Sequence, residues 1–369
     1  MNFRFASLVD EQMLTIGRLL SMTFGRPTML SKPWTVPIPA MVNDEYLSEN
    51  AEGLQPDGIP CALGLFVSSC QLFDLLEEIL NKFYSGDPGP DLAENESTCD
   101  TTQRLIEPVL QFNRRLDSFA DSVPPYLRFD ASTNMYAAND NSVQLQQQVL
   151  YCRFLYIRLL SLRPLLMVAT KSGARSHIMS GAEQTSLDNE VVSRCCNLCA
   201  ETASKLVTTI HQHINTLYRS FGWHSVYFTF SSAMVMLASC KSEAVSLSLG
   251  DSSFEADWAR CLFVLHHYEE QISSAAQAIR VLEALKHQLY SQLLPPPNSA
   301  ALRADSTPLP PNGLGMSSME SADMSAFPLM PYDFGLADPF GAEGMSEAWF
   351  GQQLVNLDWM EMPMALHPQ

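Results

Sequence analysis

The chain has 369 residues, 46 % of them hydrophobic, which is enough to bury a sizeable core and too long for one ordinary small domain. Charged residues make up only 17 %, and the 40 acids against 22 bases give a formal net charge of −18. That balance excludes a broad phosphate-gripping face, which needs clustered Lys and Arg; the densest basic pairing is Arg114-Arg115.

The opening MNFRFASLVDEQ has no apolar h-region, so no secretory signal is expected. Residues 10–24 read as a helix, with Asp10 as cap and Met13, Ile16, Leu20 and Phe24 at helical spacing. Gly25 stands where a left-handed C-cap belongs, and Pro27 prevents continuation. In the following KPWTVPIPAMVNDEYL, Pro33, Pro37 and Pro39 impose extended geometry, and Asp44 restarts the pattern as a cap. Residues 59–84 form a long apolar helix pattern with Leu65, Leu72, Leu76, Ile79 and Phe83 on one side. An acidic, breaker-rich loop over 86–102 separates it from a helix running from about Thr102 to Ser122, which stops before Pro124-Pro125.

A third strong pattern runs from about Ser142 to Ala169. It holds the longest apolar stretch, Leu150 to Thr170, but Arg153, Arg158 and Arg163 make a membrane span unfavourable. A buried amphipathic helix with snorkelling arginines, broken at Arg163-Pro164, is the expectation. After a polar loop over 171–189, residues 190–219 repeat the period through Leu198, Thr202, Leu206, Ile210, Ile214 and Leu217. Residues 221–240 are apolar nearly all round, as in a central buried helix. Residues 254–294 continue one clean period from Trp258 to Leu289. No period-2 alternation of comparable strength occurs. The expected fold class is all-α: about seven helices forming a multi-helix body over 1–294.

At Pro295-Pro296-Pro297 the composition changes. Residues 295–369 hold eleven prolines, eight methionines and nine acids, with Arg303 the only Lys or Arg. Such a segment lacks the means to build a helical core and is expected to be a disordered acidic tail. Its bulky groups are set among the acids: Phe350, Leu354 and Leu357 fall at i, i+4 and i+7, with Trp349 and Trp359 beside them. This is the pattern of a segment that folds on docking into a partner groove, as acidic activation segments do.

Catalytic and metal chemistry find little support. No GxSxG elbow, P-loop, GxGxxG fingerprint or DDxxD-like run is present, so neither a hydrolase, a nucleotide enzyme nor a terpene cyclase is indicated. Cys195-Cys196-x-x-Cys199 is the first metal suspect, but it lies within a helical pattern and has no second CxxC or HxxxH to complete four ligands. His211 and His213 face different sides of a helix, as do His266 and His267. The nine scattered cysteines read as reduced core residues of an intracellular protein, and no metal, cofactor or catalytic residue is assigned.

Several strings in fixed order resemble the fungal-specific transcription factor regulatory domain, the middle homology region found downstream of zinc binuclear cluster DNA-binding modules. They are Arg18-Leu19, Gly25-Arg26-Pro27, Val36-Pro37-Ile38-Pro39, Asp44-Glu45-Tyr46-Leu47, the Pro125/Leu127/Arg128 segment, Arg163-Pro164-Leu165 and the aromatic-rich WHSVYFTF over 223–230. The resemblance covers roughly residues 1–294. It implies an all-α scaffold in which Arg18, Gly25, Arg26, Pro27, Pro37, Pro39, Asp44, Arg163 and Pro164 have structural duties. It also implies a nuclear setting, control of metabolic genes (secondary-metabolite clusters among them) and a homo- or heterodimer. Contacts with coactivators or other regulators, and response to a small-molecule effector, follow from the same resemblance. The six-cysteine module and its basic linker are missing from the chain, so direct DNA binding is not carried over. The DNA reader is expected upstream or on another chain, and a stand-alone co-regulator or a small-metabolite-binding module is the alternative.

Overall fold

The computed structural model describes residues 38–47, 53–84, 98–129, 141–175, 186–214 and 222–293. The expected helix over 10–24, the Gly25-Arg26-Pro27 corner, Arg18, Pro37 and the whole of the 295–369 tail lie outside the described residues. Within them the chain is all-α, with seven α-helices and no strand: α1 Gly64–Phe83, α2 Thr98–Ser122, α3 Asn141–Arg175, α4 Ser186–His213, α5 Gly222–Lys241, α6 Ser252–Tyr268 and α7 Ser273–Leu293. No helix of the described residues is long and apolar enough to cross a membrane.

Two helices organise the rest. The 35-residue α3 packs against α1, α2, α4 and α5. Helix α5 packs against α3, α4, α6 and α7, and every residue from His224 to Ser239 is buried. That is the behaviour expected of a helix apolar all round. Leu72, Leu76 and Ile79 of α1, Leu116 of α2, Leu159 and Leu162 of α3, and Leu206 and Ile210 of α4 belong to the same continuous core.

Side chains tie the connections to the helices. The segment Ile38–Leu47 is held by Asn43. Its amide N–H donates to Gln55 Oε1 at 2.8 Å, and its own Oδ1 accepts from the Ala62 N–H at 2.9 Å. Pro39 and Val42 are buried beneath this clasp. Asp44 does not cap a helix: it opens an exposed 3-10 turn, Asp44–Tyr46, that Asn43 precedes. After α2, Pro125–Leu127 forms a second 3-10 turn with Leu127 fully buried. Arg128 turns back and donates to the Val123 and Asp121 carbonyls at 3.3 and 3.4 Å, covering acceptors that the end of α2 leaves free. Gly64 opens α1 where a Cβ would stand 2.2 Å from the Tyr126 hydroxyl, so glycine is what lets this turn pack there. The α5–α6 connection is pinned to α4. Asn197 Nδ2 and Ser193 Oγ donate to the Ala244 carbonyl at 3.1 and 2.7 Å, and Asn197 Oδ1 accepts from the Ser246 N–H at 3.3 Å.

Three expectations are corrected. Helix α3 is not broken at Arg163-Pro164 and runs on to Arg175 with Pro164 inside it. The 254–294 pattern is two helices, separated at Glu269–Ile272. There the Glu269 and Gln271 amides bond three residues back, to His266 and Tyr268, which tightens and ends α6. Boundaries also move: α2 begins at Thr98, inside the expected acidic loop, and α4 begins at Ser186.

Candidate functional site at the proline of the central helix

A cluster of buried polar groups lies about the Pro164 turn of α3. Proline has no N–H to offer the Leu160 carbonyl one turn back, so that acceptor loses its helical partner. Tyr84, the residue that ends α1, supplies the missing donor: its hydroxyl bonds the Leu160 oxygen at 2.8 Å. One turn N-terminal to Leu160, the Tyr156 hydroxyl is hydrogen-bonded to the Tyr227 hydroxyl of α5 at 2.9 Å. The Tyr156 ring stacks on Phe228, with centroids 4.4 Å apart and planes within 17°. This pair brings α3 and α5 together through one polar and one aromatic contact.

Arg163 lies within the same cluster with only 2 % of its surface exposed. It therefore does not snorkel, in contrast to Arg158. The Arg158 guanidinium lies over the Phe154 ring, bonds Asn113 Oδ1 at 3.2 Å and pairs with the partly exposed Asp117 carboxylate. Arg153 takes a third course: it donates to Ser69 Oγ at 2.7 Å and lies over the Phe73 ring. The three arginines thus fasten α3 to three different surroundings, and Arg163 alone carries its charge into the core.

Electrostatics keep the neighbours of Arg163 neutral. Burial raises the pKa of the Tyr84, Tyr156 and Tyr227 phenols, and the nearby Arg163 charge only partly offsets it. Burial likewise pushes up the Cys199 thiol. The groups therefore act as hydrogen-bond donors and acceptors around one fixed positive charge at neutral pH. Activated nucleophiles have depressed values, and these run the other way.

The sequence-predicted residues divide accordingly. Arg163 and Pro164 meet at this cluster, whereas Pro39 and Asp44 lie in the Asn43-clasped segment on the N-terminal side of α1. Trp349, Phe350, Leu354, Leu357 and Trp359 lie outside the described residues. Cys195, Cys196 and Cys199 are buried in α4, and burial raises the Cys196 thiol to about 12. No group of three or more His, Cys, Asp or Glu among the described residues is placed to hold a metal ion. The histidine pairs diverge: His266 meets Glu269 at 2.9 Å and His267 stands edge-on to Tyr268, while His211 lies edge-on to Phe263. The sequence pattern does not single out Tyr84, Tyr156 or Tyr227. The signal for Tyr84 was present, because a proline inside a helical pattern always raises the question of what satisfies the carbonyl four residues earlier.

Comparison with protein-family profiles, with curated proteins and with solved structures finds no match to this chain.

Proposed function

We propose that the chain is a transcriptional regulator of fungal metabolic genes, working through protein–protein contacts in the nucleus. The helical body sets dimerisation, inhibition or effector response, and the acidic 295–369 segment recruits a coactivator. The observation that carries this reading is the ordered motif set from Arg18 to Arg163-Pro164-Leu165, followed by an acidic tail studded with tryptophans. The described members of that set support it by their duties: Arg128 covers the end of α2, and Pro164 sits at the turn of α3 where buried polar groups cluster. The all-α architecture supports it as a scaffold for contacts.

The test fuses residues 295–369 to a heterologous DNA-binding domain and measures a reporter. Activation is expected, with a large loss in the Trp349→Ala/Trp359→Ala double variant, because buried aromatic anchors dominate such interfaces. An inactive fusion, or an active one indifferent to both substitutions, would sink the activation role.

A further inference from the structure

Helix α7 is the last described element before the chain enters Pro295–Pro297, and its C-terminal half is held by an unusual cation site. Lys286 Nζ stands 5.0 Å from the Trp258 ring centroid, 5.3 Å from Phe254 and 5.7 Å from Tyr290. Nζ donates to Glu255 Oε2 at 2.7 Å. The other oxygen of the same carboxylate accepts from the Tyr290 hydroxyl at 2.9 Å. Phe254, Glu255 and Trp258 belong to α6, and Lys286 and Tyr290 are one turn apart on α7. Three rings and a carboxylate around one nitrogen are the chemistry that recognises an ammonium, methylated or not. The site lies at the rim, with the Glu255 side chain 41 % exposed and that of Lys286 17 %.

This arrangement reads the charge on Nζ. A methylated ammonium keeps its charge and fits aromatic faces, and up to two methyl groups leave an N–H for Glu255. An acylated nitrogen is neutral, so it loses both the ring attraction and the ion pair. We propose that Lys286 is a modification site read by this cage: Nζ acylation holds the last two turns of α7 in an undocked state, and Nζ methylation leaves them docked. In the acyl transfer the ammonium first gives a proton to water. The neutral amine then attacks the carbonyl carbon of an acyl thioester, the amide C–N bond forms, the C–S bond breaks, and the thiol leaves with the second proton. Three rings and the Glu255 carboxylate enclose Nζ, so the acyl thioester reaches it in the fraction of molecules in which α7 has let go, and the neutral amide disfavours re-entry. This inference does not depend on the transcriptional reading.

The full chain is incubated with an acetyl thioester of a small thiol, and acetylation is followed by mass spectrometry at Lys286 and at the exposed Lys205. Lys286 is expected to react about tenfold more slowly than Lys205, and Glu255→Gln to remove most of that difference. In a second arm, Nε-acetyllysine is installed at 286 by codon suppression. Hydrogen exchange over 283–293 should then quicken about tenfold while α3 is unchanged, and reductive dimethylation mapped to Lys286 should leave 283–293 as it was. The Lys286→Arg variant, which retains the charge, should exchange close to the unmodified chain. The proposal is overturned if acetylation at 286 leaves exchange unaltered, if dimethylation loosens α7 as much as acetylation does, or if Glu255→Gln does not change the relative rate at Lys286.

Discussion

Pro164 removes one backbone donor, and the Tyr84 hydroxyl supplies a substitute from another helix. The two residues should therefore be energetically coupled. Tyr84→Phe leaves the Leu160 carbonyl buried and unsatisfied, at a cost of about 1–2 kcal/mol. In a Pro164→Ala background the alanine N–H restores the helical bond, and the same Tyr84→Phe change should cost less than about 0.5 kcal/mol. Urea unfolding of the four members of this cycle measures the coupling, and additive costs would show that Tyr84 does not serve the proline. A second residue-scale prediction concerns Tyr126 and Gly64. Gly64→Ala should destabilise by about 1–3 kcal/mol through the contact with the Tyr126 hydroxyl, and Tyr126→Phe should recover part of that loss. Thermal melts of both single variants and the double variant decide it; a double variant no more stable than Gly64→Ala alone would place the strain elsewhere.

At the scale of the element, helix period and helix ends were legible to very different degrees. The apolar period located α1, α2, α3, α4 and α5 because each buries one stripe or, for α5, its whole circumference against neighbours. The same period ran unbroken through the α6–α7 turn. Both helices present their apolar stripe to one core, and the four residues between them include neither glycine nor proline to mark the break. Pro164 misleads for the opposite reason: a local rule says stop, and a tertiary donor, 76 residues in sequence from the Leu160 carbonyl it serves, makes continuation tolerable. The polar cluster was half legible, through Arg163 and Pro164 but not through the tyrosines that surround them. The Asn197 clasp was not legible at all, because one asparagine in a helix does not announce two partner residues in a distant loop. Asn197→Ala should cost about 1–2 kcal/mol and quicken hydrogen exchange over 242–251 while leaving α1 unaffected, since it removes the Asn197 bonds to that connection and leaves only Ser193 on the Ala244 carbonyl.

At the scale of the whole molecule, acid sensitivity among the described residues begins with a base. His224 is buried at the start of α5 beside Arg153, and burial first, then the Arg153 charge, lowers its pKa from 6.5 to about 3. The folded chain holds it neutral, whereas the unfolded chain protonates it near the ordinary value. Its contribution to stability is therefore complete above about pH 6.5 and is lost as pH falls from there toward 3, by up to about 1.4 kcal/mol per unit. His213, lowered by partial burial, acts in the same direction. Glu78 and Glu255 are held below the usual carboxylate range by hydrogen bonds from Arg115 and Lys286, and they add their losses only at lower pH. Urea midpoints at pH 7, 6 and 5 should fall for the wild type and fall less for His224→Phe. Parallel slopes would assign the acid sensitivity to other groups.

The bond from Tyr84 to Leu160 also has a temporal side. A ribosome synthesises α1 and α2 before the carbonyl that Tyr84 serves, and α3 is the helix against which both of them pack. Among the described helices, these two thus emerge before the one that covers their apolar stripes, the state in which nascent chains depend most on holdase chaperones. Compaction becomes favourable only once residues through the end of α3 have cleared the exit tunnel. Slow codons placed a full tunnel length beyond Arg175 would give this chain time to close its core, and the same pause placed before Leu160 would only prolong its exposure.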